Sequence, residues 1–228
     1  MSAPGHPLDR PVWNSLNGRW ASRAVRAGEA FRLGPDYGHF AATPELTVGS
    51  LQALTALDFD DNGLHLVEPE PIEAPAGLAI ALQAGLVQMT AEGIEGEGAD
   101  LEVLSLGEAD GPEMFALAQL TRPGPFAART HALGDFIGVR SAGRLVAMAG
   151  ERMRTGGFCE VSGVCTHPDH RGRGYAGALM RIVARRILER GETPFLHAMQ
   201  ANAGAISLYE RLGFRPRRVM ALTVLQRA

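Results

Sequence analysis

The stretch HPDHRGRGYAGALM, residues 167–180, carries three glycines in a G-x-G-x-x-G pattern, Gly172, Gly174 and Gly177, just ahead of an apolar, arginine-rich run. No other feature constrains the fold as much. A glycine turn that opens a helix commits the preceding residues to a strand end. It also leaves backbone N–H groups and the positive end of the helix dipole free to meet an anion. A bound phosphate and an unliganded tight turn both account for the pattern. If it is a phosphate, it could belong to a dinucleotide, a nucleoside triphosphate or coenzyme A.

Composition removes one of these. All 22 basic residues are arginine, so the chain has no lysine. A P-loop needs a lysine on the terminal phosphates, and Schiff-base chemistry needs a lysine amine. The dinucleotide reading fails on context. A dinucleotide turn begins almost at the strand end and pairs with an acid at the tip of the next strand. Here His167 to Arg171 separate strand from glycine. Glu192, twenty residues beyond Gly172, precedes the next strand instead of ending it.

The chain of 228 residues is long enough for one large or two small domains, and its 46% hydrophobic content supplies a core. No apolar run approaches the roughly 18 residues of a membrane span, and the first ten residues do not read as a secretory signal. The expectation is a cytoplasmic protein without a membrane partner. Net charge is about −9 over residues 1–100 and about +6 over 101–228, together the overall −3. That division suits an anionic cofactor and a cationic substrate, although two ordinary solvated surfaces would show it as well. The arginines are not clustered with aromatics, so nucleic acid is not indicated. Cys159 and Cys165 stand six apart on one expected strand, about 20 Å at about 3.3 Å per residue, beyond disulfide reach. Neither belongs to a C-x-x-C, so they read as buried apolar residues, and no metal is expected.

AEGIEGEGAD, residues 91–100, reads as a linker or exposed connection. Before it, ELTVGSLQALTALDFDD has helical spacing, GLHLVEPEP alternates like a strand stopped by proline, and GLAIALQAGLVQMT fits helix or strand. After it, strands and helices alternate: LEVLSL, a helix entered through Asp110 with Pro112 in its first turn, and two strands around a Ser141-Ala142-Gly143 hairpin. Then follow GFCEVSGVCTH, the glycine turn and its helix, the strand PFLHAM, the helix NAGAISLYERLG and a final strand VMALTVLQ. Two domains are expected, residues 1–96 as a smaller, irregular α/β unit and residues 97–228 as the part that carries the motifs.

At this point the chain resembles a known family. Arg171-Gly172-Arg173-Gly174-Tyr175-Ala176 matches the Q/R-x-x-G-x-G/A signature of the GCN5-related N-acetyltransferases. The likeness extends back to EVSGVCTHPDHRGRG and forward to NAGAISLYERLGF, three linked motifs over about residues 101–228, and is nearest to the FR47-like branch. It implies a mixed α/β fold in which the sheet splits between the strands at 158–166 and 194–199. It also implies acetyl-CoA as co-substrate and an amine as acceptor. Carried over by motif, Val164, Cys165 and Thr166 would contact pantetheine through their backbone, as in strand addition. Arg171, Gly172, Arg173, Gly174, Tyr175, Ala176 and Gly177 would hold the pyrophosphate, with Gly163 as the bulge that opens the gap. Asn202 would contact the cofactor, and Tyr209 would act as general acid.

The base is open between Glu160, which alternates in phase with Ser162 and Val164, His197 in FLHAM, and deprotonation by water or substrate. A non-catalytic CoA-binding module is the alternative function. His167 and His170 are spaced like metal ligands but lack a visible third.

Overall fold

The computed structural model describes residues 5–96 and 101–228. Its centre is an eight-stranded sheet. In chain order the strands are β4 (Leu64–Glu68), β5 (Leu78–Thr90), β6 (Leu104–Leu106), β7 (Phe136–Ser141), β8 (Arg144–Thr155), β9 (Phe158–Thr166), β10 (Thr193–Met199) and β11 (Arg215–Arg227). Across the sheet they lie in the order β4-β11-β5-β10-β9-β8-β7-β6. Three shorter strands, β1 (Ala24–Ala27), β2 (Ala30–Leu33) and β3 (Ala41–Ala42), form a small antiparallel sheet near the N-terminus.

All neighbouring pairs in the large sheet are antiparallel except β9 with β10. That pair is held only over Thr193–Phe195 against Phe158–Glu160, after which the strands part. The split therefore lies where the family resemblance implied it, and a doubly wound parallel sheet is excluded by topology.

Helices cover both faces. On β7, Phe136 packs with α3 (Gly111–Thr121) while its neighbour Ile137 packs with α4 (Tyr175–Glu189), so strand alternation sets these helices on opposite sides. The α4 side buries Ala178, Leu179, Val183, Ala184 and Ile187, a stripe at helical spacing, and is joined by α5 (Ala203–Arg211). The other side takes α1 (Pro11–Leu16), whose Val12 and Leu16 pack with Trp20, Phe195 and Met220.

One open reading is decided. GLAIALQAGLVQMT is a strand, β5, because it is paired along its whole length with β11 and at its end with β10. β5 and β4, both from before residue 91, supply one interior and one edge strand of the sheet to which the motif-bearing half contributes the other six. The expected boundary between 96 and 97 borders residues 97–100, which lie outside the described residues. The segment of helical spacing near residue 50 forms α2 (Val48–Gln52), continued by a short 3₁₀ turn.

Candidate active site

The glycine turn follows β9 through a single 3₁₀ turn, Pro168–His170. Gly174 caps α4 with φ +79°, and Gly172 has φ +76°, both in the left-handed region that an L side chain enters at a cost. A Cβ added at either position would point into open space. That space belongs to a cleft of about 530 Å³ lined by Val164, Cys165, Thr166, Arg171, Gly172, Arg173, Gly174, Tyr175, Ala176 and Gly177, with Arg181 and Leu208 beside them. All the residues expected to contact the cofactor, apart from Asn202, thus meet on one concave surface. The cradle fits a pyrophosphate: glycines leave the backbone bare, the helix start offers N–H donors, and three arginines stand at its edge.

The bulge at Gly163 is real and decides what faces what. Met148 pairs with Cys165 but Gly150 with Ser162, so β9 holds one extra residue there, and Gly163 has φ +63°. One extra residue exchanges the two faces of a strand. Before the bulge Cys159 and Val161 pack on the α4 side; after it Cys165 packs on the α3 side and Val164 against the α4 cluster. The in-phase alternation expected for Glu160 and Val164 is therefore broken.

Glu160 lies on the α3 side, 1% exposed, and both of its oxygens are engaged. Arg152 donates to it twice, at 2.8 and 3.0 Å, and His197 Nδ1 sits 2.9 Å from Oε1. Burial pushes the carboxyl upward, but the Arg152 charge and the His197 hydrogen bond outweigh it and hold it at about 2. A carboxylate so weakly basic and so fully partnered is poorly suited to taking a proton from an amine.

His197 is engaged at both ring nitrogens. Gln88 Oε1 accepts from Arg217 at 2.7 Å and its Nε2 donates to the Leu8 carbonyl at 2.9 Å, which fixes the amide orientation. The same Nε2 faces His197 Nε2 at 3.1 Å, so that ring nitrogen accepts and Nδ1–H donates to Glu160. Asp9 completes the chain by accepting from Arg217 at 2.6 Å. Sequence reasoning missed Gln88, Arg152 and Arg217. They lie far apart along the chain, and no motif joins them.

Where β9 and β10 part, a second cavity of about 380 Å³ opens, lined by Val164, Arg152, His197, Met199, Asn202, Tyr209 and Leu222 among others. It shares Thr121, Pro123 and Val164 with the glycine-lined cleft, so the two adjoin across those residues. Tyr209 is partly buried there, and burial raises its phenol above the usual value of 10. The Asn202 side chain accepts from Ala205 N at 3.1 Å and caps α5, so it faces this cavity as a helix cap. Cys165 is a free thiol that burial pushes up to about 11, only partly offset by the Thr121 hydroxyl. His167 turns inward as a local cap, its Nδ1 accepting from Asp169 N at 3.3 Å. Among the described residues, no group of three potential metal ligands forms, and no helix is long and apolar enough to cross a membrane.

A mostly antiparallel sheet that opens at its one parallel pair, with a glycine-capped helix start at the opening, defines the acyl-CoA N-acyltransferase fold class. Comparison with known proteins agrees. The FR47-like protein family matches residues 136–222. A solved structure from Novosphingobium aromaticivorans, described as an acetyltransferase of the GNAT family, is 48% identical; the match covers 98% of this chain and 100% of that one, with a TM-score of 0.90. A GCN5-related N-acetyltransferase from Kribbella flavida, 22% identical over 93% of both chains with a TM-score of 0.63, shares the fold. No curated protein sequence matches. The chain belongs to the GCN5-related N-acetyltransferase family, a family of acetyl-transferring enzymes.

Proposed function

We propose that this protein transfers an acetyl group from acetyl-CoA directly to a primary amine. The observation that carries the reading is the pair of adjoining cavities, one over the glycine turn and one at Tyr209, that share Val164 at the sheet's split. The backbone of residues 171–177 holds the pyrophosphate, and Val164, Cys165 and Thr166 pair with the pantetheine arm through their main chain. A backbone N–H near Val164 polarises the thioester carbonyl. Tyr209, still protonated well above neutral pH because of its burial, supplies the proton that the departing sulfur needs. Direct transfer fits Cys165, whose raised thiol is no nucleophile at neutral pH.

Glu160 is better placed to position than to deprotonate. It holds Arg152 and His197 at the wall of the inner cavity, and the amine loses its proton to solvent in the cleft. We assign residues 1–96 to the acceptor side, since Phe40, Val67 and Leu86 already line the inner cavity. A calorimetric titration with acetyl-CoA, followed by thiol release on a panel of amines, tests the reading. Tight binding without turnover of any amine would instead favour a CoA-binding module.

A further inference from the structure

The inner cavity has a second neighbour. It shares Arg122, Gly124, Pro125, Met199 and Leu222 with a larger chamber of about 890 Å³. That chamber's walls are of two kinds. Leu82, Phe115, Phe126, Met199, Leu222 and Val224 make it largely apolar, and Leu82 and Met199 are 45% and 39% exposed although they are large and hydrophobic. Its remaining wall comes from the N-terminal segment: Asp36, His39, Asp60, Asn62 and His65.

The charge on that second wall is one-sided. Burial opposes the Asp60 carboxylate, but hydrogen bonds from the Asn62 side chain and backbone, with the His39 and Arg32 charges, together outweigh it and lower the carboxyl. Burial lowers both histidines, His65 to about 4, so neither offsets the acids at neutral pH. Among the residues that line the chamber, two carboxylates, Asp36 and Asp60, stand against one arginine, Arg122; Arg32 acts on Asp60 from behind the wall.

Resting on the transferase reading above, we infer that the acceptor is a small amine carried on an extended apolar body, an alkyl- or arylalkylamine without a carboxylate. The amine reaches Tyr209 through the inner cavity while the body lies along Leu82, Phe115 and Leu222. A chamber of this size and lining suits a small ligand with few polar groups. The acids attract an approaching ammonium and repel a carboxylate such as that of a free amino acid. Sequence reasoning left the acceptor open because the chamber's residues come from six separate stretches of chain, around 36–39, 60–65, 82, 115–126, 199 and 222–224.

The test is kcat/KM over straight-chain primary amines from ethylamine to octylamine, with phenylalkylamines, leucine and an apolar N-terminal peptide alongside. The alkylamines share nearly the same basicity, so the series varies apolar contact alone. The expected result is a rise of about fourfold per added methylene until the chamber is filled. The variant Leu82→Asn, at an exposed position, should flatten that slope. A flat series, equal slopes in the variant, or a preference for leucine or the peptide overturns the inference while leaving an acetyltransferase. Acetyl-CoA binding with no amine turned over would overturn the transferase reading itself.

Discussion

The two ends of the cleft are built on different plans. The end proposed for the cofactor is drawn mostly from residues 164–177, with Thr121, Pro123, Arg181 and Leu208 at its margin, and would work mainly through its backbone, with glycines where side chains would intrude. The acceptor end is assembled from side chains of β4, β5, β8, β10, β11 and α5 and of the loops around residues 36, 60 and 124. A backbone cradle depends on local geometry, so it can be recognised in a short motif. A side-chain cavity depends on long-range packing, so changing one residue can alter its contents without disturbing the cradle.

The largest expected effect tests the point where the ends meet. Replacing Tyr209 by Phe keeps the ring against Phe214, whose centroid lies 6.4 Å away, but removes the hydroxyl. Turnover should fall by about 10²–10⁴-fold, with little change in the KM for acetyl-CoA. Because burial raises this phenol, the wild-type kcat should show no falling limb from Tyr209 below about pH 10. Equal turnover in the two proteins would reduce Tyr209 to packing.

The next effect falls on the acceptor wall alone. Glu160→Gln leaves the Arg152 guanidinium, 10% exposed, without its carboxylate, a loss of about 3–5 kcal/mol for a buried pair broken on one side. The native carboxyl is depressed from 4.5 to about 2, so its contribution is complete above pH 4.5 and is lost as pH falls toward 2. Thermal melts should show the wild-type protein losing its advantage over the variant across that window. A constant difference from pH 2 to 7 would mean that the ion pair does not stabilise the fold as its geometry implies.

A third prediction separates cradle from backbone strain. Gly174 and Gly191 both have positive φ, +79° and +76°, and in both an added Cβ meets nothing within 4 Å. Alanine at either should cost the fold about 1–2 kcal/mol. Only Gly174→Ala places a methyl group where the phosphate approaches, and its acetyl-CoA affinity should fall about 10- to 100-fold, the worth of one hydrogen bond to a charged group. Calorimetry that finds the same affinity in both variants would move the pyrophosphate elsewhere.

The same contrast explains what was legible in the sequence. Strand and helix order after residue 100, the Gly163 bulge and the glycine turn are all local, and the structure has them where the residues pointed; the split at β9 and β10 lies where the family resemblance implied it. The role of GLAIALQAGLVQMT was not legible, because only its pairing with β10 and β11, over a hundred residues downstream, makes it a strand. The setting of Glu160 was misjudged for a related reason. Alternation along a strand holds only until a bulge, and the partners that neutralise the carboxylate, Arg152 and His197, sit on two other strands. The Asp9–Arg217–Gln88–His197 chain joins residues up to 208 positions apart, beyond any motif.

The smallest expected effect concerns the acids that the N-terminal segment sets in the outer chamber. Asp36 is exposed, and its backbone carbonyl, not its carboxylate, accepts from Arg129 N at 2.7 Å, so its side chain can be changed without breaking that bond. An amine near neutral pH arrives as an ammonium ion, and a carboxylate at the entrance raises its local concentration. Asp36→Arg should therefore lower kcat/KM by about two- to fivefold at low ionic strength, with kcat little changed because the residue touches no reacting atom. The deficit should shrink as salt passes about 0.1 M, where the screening length is about 10 Å. Binding at the cradle supplies an internal control, since Asp36 does not line the glycine-turn cleft and acetyl-CoA affinity should not respond to it. If the deficit persists undiminished in 0.5 M salt, the substitution acts by contact or by shape, and the N-terminal acids do not steer the acceptor.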